Sequence, residues 1–139
     1  MTFPISSFES EDLTCFDIIK AYYALTDNEL EVLSSIHANQ PIDIRSIVDI
    51  IPKDRTTISR AIKRLMSIGF VRQDRISLDR GGFTHLYSTL SIKEIREKTT
   101  NLIKRINTRM LEAMSKLTEE KCFQVYKEVE LKYSKIKKN

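Results

Sequence analysis

The chain has 139 residues, 41% of them hydrophobic and 30% charged, with a formal net charge of +4. That is enough for one domain with a real core, while the apolar runs near Ile18 and Ile50 are far too short to span a bilayer. The opening MTFPISSFESED is acidic and lacks a basic stretch ahead of an apolar one, so no secretory signal, no membrane partner and a cytoplasmic location are expected.

The charge is unevenly placed. Residues 1–52 carry nine acids and two bases, residues 53–85 eight bases and three acids, and residues 86–139 thirteen bases and seven acids. A basic middle of this kind is the electrostatic footprint of a polyanion-binding surface. The two cysteines, Cys15 and Cys122, are far apart and the histidines are only His37 and His85, so no zinc site is expected and both thiols are read as reduced and buried. His85 is read as meeting solvent or phosphate. Asp12, Asp17, Asp27 and Glu29 are read as helix-capping and solubilising acids. With no phosphate loop, no H-E-x-x-H and no nucleophile–base set, no catalytic residue and no cofactor are expected, and an enzyme is disfavoured.

Residues 1–9 read as a loose lead-in. Glu11 and Asp12 favour a helix start through the dipole, although Ser10 and Leu13 make no capping box; Phe16, Ile18, Ile19, Tyr22 and Tyr23 give a helical stripe to about Leu25. Thr26 and Glu29 form a T-x-x-E capping box for a second helix carrying Leu30, Val32, Leu33 and Ile36, which stops near Asn39 and Pro41. Ile42 adds a short extended piece. Asp43 caps a brief helix with Ile44, Ile47, Val48 and Ile51 inward, ended by Pro52.

The next stretch, DRTTISRAIKRLMSIG, has two faces. Ile58, Ala61, Ile62 and Leu65 fall at i, i+3, i+4 and i+7. Thr56, Arg60, Lys63 and Ser67 lie opposite, flanked by Thr57, Ser59 and Arg64. Asp54 is placed to cap the helix and Gly69 to end it. The outer set suits a nucleic-acid groove, because Arg and Lys bond guanine or phosphate and hydroxyls bond either. The expected roles are base readout by Thr56, Thr57, Arg60 and Lys63, and phosphate contact by Ser59 and Arg64. After Gly69 the period drops to two, and Asp79-Arg80-Gly81-Gly82 supplies a turn, giving a β-hairpin over 70–77 and 83–90. The two short helices about a tight turn near Pro52–Lys53, the second one basic, make a helix-turn-helix pattern, and a hairpin directly behind it is a wing, with Arg75 and Arg80, and Arg72 beside them, set to meet backbone or minor groove.

Ser91 and Glu94 make another capping box. Ile92, Ile95, Thr99, Leu102, Ile106, Arg109 or Met110, Ala113 and Leu117 then repeat at heptad spacing, and behind a cap at Thr118 the step continues through Cys122, Tyr126, Val129, Tyr133 and Ile136. Tyr22, Tyr23, Tyr126 and Tyr133 are read as core or interface, with their hydroxyls at the rim.

The runs LTDNELEVLSSI and RTTISRAIKRLMSIGFV resemble the MarR and archaeal TrmB-like families, with Thr57, Ser59, Arg60, Ile62, Leu65, Gly69, Phe70 and Val71 standing at the positions of their recognition-helix pattern. The wing end RGGFTHLYSTLSIKEI is similar to the TrmB-like form. The chain is too short for the sugar-binding domain of larger TrmB proteins, so no effector is implied. The resemblance implies a mainly α fold with a small β-hairpin, a winged helix-turn-helix with long C-terminal dimerisation helices. It implies a division into residues 1–25 (an N-terminal helix at the dimer interface), 26–90 (DNA-binding) and 91–139 (dimerisation). The implied function is a sequence-specific regulator of transcription that binds double-stranded DNA as a homodimer through residues 91–136 with 11–25. The alternative is a winged helix used as a protein-interaction module within transcription machinery.

Overall fold

The computed structural model describes residues 5–137, with the side chains of Cys122 and residues 135–137 outside the description. The expectations for Cys122 and Ile136 therefore lie outside the described residues. A short 3-10 turn, Ile5–Glu9, leads into α1 (Cys15–Tyr23), α2 (Asp27–Asn39), α3 (Ile44–Ile50), α4 (Arg55–Ser67), β1 (Val71–Ser77), β2 (Phe83–Thr89), α5 (Ile92–Ser115) and α6 (Glu119–Lys137). The chain divides into two compact units, residues 1–99 and 100–139.

The first unit is assembled by its caps and its apolar stripes. Thr26 and Glu29 exchange reciprocal bonds at the start of α2, 2.9 and 3.1 Å long. Asp43 accepts from the Ser46 amide at the start of α3 and Asp54 from the Thr57 amide at the start of α4. Each satisfies an amide that the helix itself leaves unpaired. The start of α1 differs from expectation. It begins at Cys15, behind a capping box between Thr14 and Asp17, rather than at Glu11. Two reciprocal bonds at Thr14 outweigh the weaker dipole preference of Glu11 and Asp12. Cys15 is consequently exposed at the first turn of α1, not buried.

The core lies between α2, α3, α4 and the hairpin. Val32, Ile36, Ile47, Ile58, Leu65 and Phe70 are almost wholly removed from water. The stripe Ile58, Ala61, Ile62 and Leu65 is the buried side of α4, as its spacing dictates. Gly69 turns the chain out of α4 at φ +81°, a conformation costly for any residue with a Cβ, and the Phe70 amide returns a bond to the Leu65 carbonyl. β1 and β2 pair antiparallel, Val71 opposite Thr89 and Ser77 opposite Phe83. Ile42 adds a one-residue bridge to Tyr87, with bonds of 3.1 and 2.8 Å. The beginning of α5 belongs to this unit: Ser91 and Glu94 form the expected capping box, and Ile95 and Thr99 are buried.

In the second unit, α5 ends at Ser115 and Thr118 caps α6, its hydroxyl accepting from the Lys121 amide at 3.2 Å. Large apolar side chains here are exposed, among them Leu111, Met114, Phe123, Tyr126, Leu131 and Tyr133.

The aspartate caps make stability pH-dependent. Bonds from Ser46 hold the Asp43 carboxyl, and bonds from Thr57 the Asp54 carboxyl, below the ordinary value of 3.8. A carboxylate whose folded pKa is depressed stabilises fully above its unfolded pKa, and that contribution disappears as the pH falls through the lower folded value. Asparagine caps nearly as well without titrating. The double variant Asp43→Asn, Asp54→Asn is therefore expected to show a flatter fall of melting temperature below about pH 4 than the parent chain. Superimposable acid limbs would show that these caps do not carry the acid sensitivity.

Candidate nucleic-acid interface

With its apolar stripe in the core, α4 turns the other side outward. Thr56, Arg60, Lys63 and Ser67 are exposed, and Thr57 and Ser59 are half-buried at the margins. Among the described residues, neither Arg60 nor Lys63 takes part in an ion pair; the cations that do are Lys20, Lys53, Arg64 and Arg72. Among the described acids, then, none is paired with a cation of this outer face. Thr57 is already engaged, its hydroxyl donating to Asp54 at 3.1 Å. A hydroxyl so held keeps its own acceptor capacity.

Arg64 is placed differently from the sequence expectation. Its guanidinium donates to the Tyr23 carbonyl and lies 3.7 Å from the buried Glu29 carboxylate. It clamps α4 to the end of α1 and the start of α2. Ala24, left-handed at φ 53°, caps α1 by donating to the Lys20 carbonyl, and the Tyr23 carbonyl accepts from Arg64. The sequence places Arg64 at the edge of the outer face; its long side chain reaches inward because an anion waits there. Lys53, in the turn before α4, is likewise tied to α2, donating to Asn28 at 2.6 Å and lying 3.3 Å from Glu31.

The hairpin follows α4 after only Ile68–Phe70. Its tip is closed by bonds between Leu78 and Gly82 and between Gly81 and Leu78, with Gly81 and Gly82 both at positive φ and Arg80 exposed beside them. Because paired residues share a face, Val71, Gln73, Arg75, Thr89, Tyr87, His85 and Phe83 occupy one side of the ribbon. Val71 and Tyr87 bury its inner end. Burial pushes the Tyr87 phenol above its ordinary value, opposed by the charge of Arg55 and by the bond from Gln73. Arg55, in the first turn of α4, is therefore electrostatically close to the wing. Sequence reading had passed over it, although its exposed place at the helix start was a usable signal. Arg75 lies farther out on the same side, its guanidinium 3.5 Å from the centroid of the Phe83 ring. Arg72 points to the opposite side and sits 3.7 Å from Asp74.

Of the expected set, then, the structure exposes Thr56, Arg60 and Lys63 together on α4 and Arg75 and Arg80 on the wing, leaves Thr57 and Ser59 partly accessible, and turns Arg64 inward. Among the described residues no group of three or more His, Cys, Asp or Glu is placed to hold a metal ion, and no helix is long and apolar enough to cross a membrane.

The MarR family model matches residues 25–80, the span from the end of α1 to the wing tip. The uncharacterized protein MJ1503 of Methanocaldococcus jannaschii is 30% identical over 106 residues, 76% of this chain and 77% of that protein. The uncharacterized HTH-type transcriptional regulator YhjH of Bacillus subtilis is 31% identical over 74 residues, 52% of this chain but only 42% of that longer protein. A solved structure from Methanosarcina mazei Go1, a possible transcriptional regulator, aligns with a TM-score of 0.66 at 24% identity, covering 77% of this chain and 91% of that one, which shows the shared fold. Helices, hairpin and matched span agree: the chain belongs to the MarR family, and its winged-helix fold is that of a DNA-binding transcriptional regulator.

Proposed function

We propose that the chain is a homodimeric, sequence-specific regulator that places α4 in the major groove of duplex DNA and its hairpin along the backbone or minor groove. The observation that carries this reading is the division of α4: four apolar residues lie in the core, while Thr56, Arg60 and Lys63 are exposed and, among the described residues, neither Arg60 nor Lys63 is paired with an acid. Arg60, Lys63, Thr56 and Thr57 read bases, Ser59 holds a phosphate, and Arg75 and Arg80 meet the backbone or minor groove. Arg64 is left out of the contact set because Glu29 and Tyr23 already hold it. A regulator with this task works in the cytoplasm, where the duplex is.

Residues 26–90 form the DNA-binding part in this reading, and residues 91–139 with 1–25 the dimerisation part. The exposed apolar side chains between Met110 and Tyr133 support it. So many large apolar groups on two consecutive helices mark an interaction surface, and a second copy is the partner that MarR-type regulators take. Two-fold pairing brings two recognition helices onto one face about 34 Å apart, one turn of duplex.

Recovery and sequencing of genomic fragments bound by the chain tests the proposal. The expected result is a recurrent site with two inverted half-sites about one helical turn apart. Fragments with no shared sequence, or none retained above background, would contradict it and favour the protein-interaction module.

A further inference from the structure

The outer wing holds a group of three side chains that base or phosphate contact alone does not explain. Arg75 and His85 are directly paired across the hairpin, and Phe83 is the next residue on the same face of β2. The Arg75 guanidinium stacks on the Phe83 ring at 3.5 Å, and the His85 ring meets Phe83 edge-on, with centroids 5.4 Å apart at 65°. Phe83 is about half exposed and has no place in the core. An aromatic residue at the outer end of a two-stranded ribbon contributes little to folding. The cost of exposing it needs another reason, and the cation above it supplies one.

An unsupported arginine on a strand samples many rotamers and loses that freedom when it binds. A ring beneath the guanidinium attracts it through the ring quadrupole, leaves its in-plane N–H groups directed outward and reduces the freedom to be lost. The contrast within the same strand is informative. Arg72, on the other face, stands beside the Asp74 carboxylate, whereas Arg75 has a ring beneath it as a platform.

We infer that Phe83 is a positioning residue for DNA binding. It does not touch the duplex but holds Arg75 pre-oriented towards it, with His85 bracing the ring. The inference rests on the duplex-binding reading above.

The test measures duplex affinity at fixed low salt, its salt slope, and melting temperature for the parent chain, Arg75→Ala, Phe83→Ala, Phe83→Leu, Phe83→Tyr and the double variant Arg75→Ala, Phe83→Ala. Arg75→Ala is expected to weaken binding about tenfold and reduce the salt slope. Phe83→Ala and Phe83→Leu are each expected to weaken binding about two- to fivefold, with a reduced salt slope and an unchanged melting temperature. Phe83→Tyr, which keeps the ring, should bind like the parent chain, and the double variant should be no weaker than Arg75→Ala. Parent-like binding by Phe83→Leu would overturn the inference alone, since bulk without a quadrupole would then suffice. A double variant as weak as the product of the two single losses would overturn it too, because Phe83 would be acting independently of Arg75. Failure of the parent chain to bind any duplex would sink the duplex reading and this inference together.

Discussion

Replacing Arg60 with alanine is expected to weaken binding to the preferred duplex by about 1–3 kcal/mol and to relax the sequence preference, with little change in melting temperature. The expectation follows from where the side chain stands. Arg60 is exposed on the middle of the outer face of α4 and enters no ion pair among the described residues. Its charge acts only weakly on the cap Asp54, whose stabilisation comes first from Thr57. Removal therefore leaves no buried charge and no cavity, and folding is untouched. What is lost is a fork of donors able to bond guanine through two parallel contacts, which alanine cannot replace. Arg80→Ala should behave differently. Arg80 is exposed beside the glycine turn of the wing, and under the proposed reading it meets phosphate or minor groove, so its loss should weaken binding to all duplexes alike. A competition mobility-shift assay with preferred and scrambled duplexes separates the two outcomes. Equal affinities for the parent chain and both variants would remove α4 and the wing from the interface.

Phe70→Ala should unfold the first unit more readily than any surface change, by about 3–5 kcal/mol. Phe70 is fully buried, and its ring meets the edge of Tyr23 with centroids 4.7 Å apart. It also sits at a junction. Its amide bonds back to Leu65 of α4, and its carbonyl accepts from Leu90 just beyond β2. Tyr23 in turn reaches Thr99 of α5 through its hydroxyl at 3.2 Å. Truncation removes the ring that fills the space between α4, the hairpin and α1, and the backbone around Gly69 is too constrained to close the cavity. For a unit of this size the loss corresponds to a fall in melting temperature of at least about 12 °C. A fall of only a few degrees would mean that the core around Phe70 is loosely packed.

α4 and the hairpin were legible because their signals are local. The spacing of Ile58, Ala61, Ile62 and Leu65 marks the buried side of α4 from that segment alone, and the outer face follows by subtraction. The change of period after Gly69, with Gly81 and Gly82 at the turn, marks the hairpin to within one residue at each outer end. Capping boxes at Thr26 and Ser91 could be read directly. The one at Thr14 was missed because aspartate stands where glutamate is usual, and the exposure of Cys15 followed from that miss.

Contacts between elements were less accessible. No periodicity within α4 shows that Glu29 of α2 and the Tyr23 carbonyl of α1 converge on Arg64; that requires the packing of three helices. The stacking of Arg75 on Phe83 stands between these cases. The turn between Ser77 and Phe83 sets the register, the register puts the two residues one step apart diagonally on one face, and a careful count along both strands reaches the pair.

A chain that holds a duplex through the exposed cations of α4 and the wing, as proposed, binds it largely by displacing counterions. The most direct measurement is the affinity of the unmodified chain for double-stranded DNA between about 50 and 200 mM salt. Log affinity is expected to fall linearly with log salt concentration, steeply enough for several displaced counterions, roughly 0.9 per phosphate contacted. An affinity that does not change across that range, or no measurable binding at its lower end, would contradict the proposal.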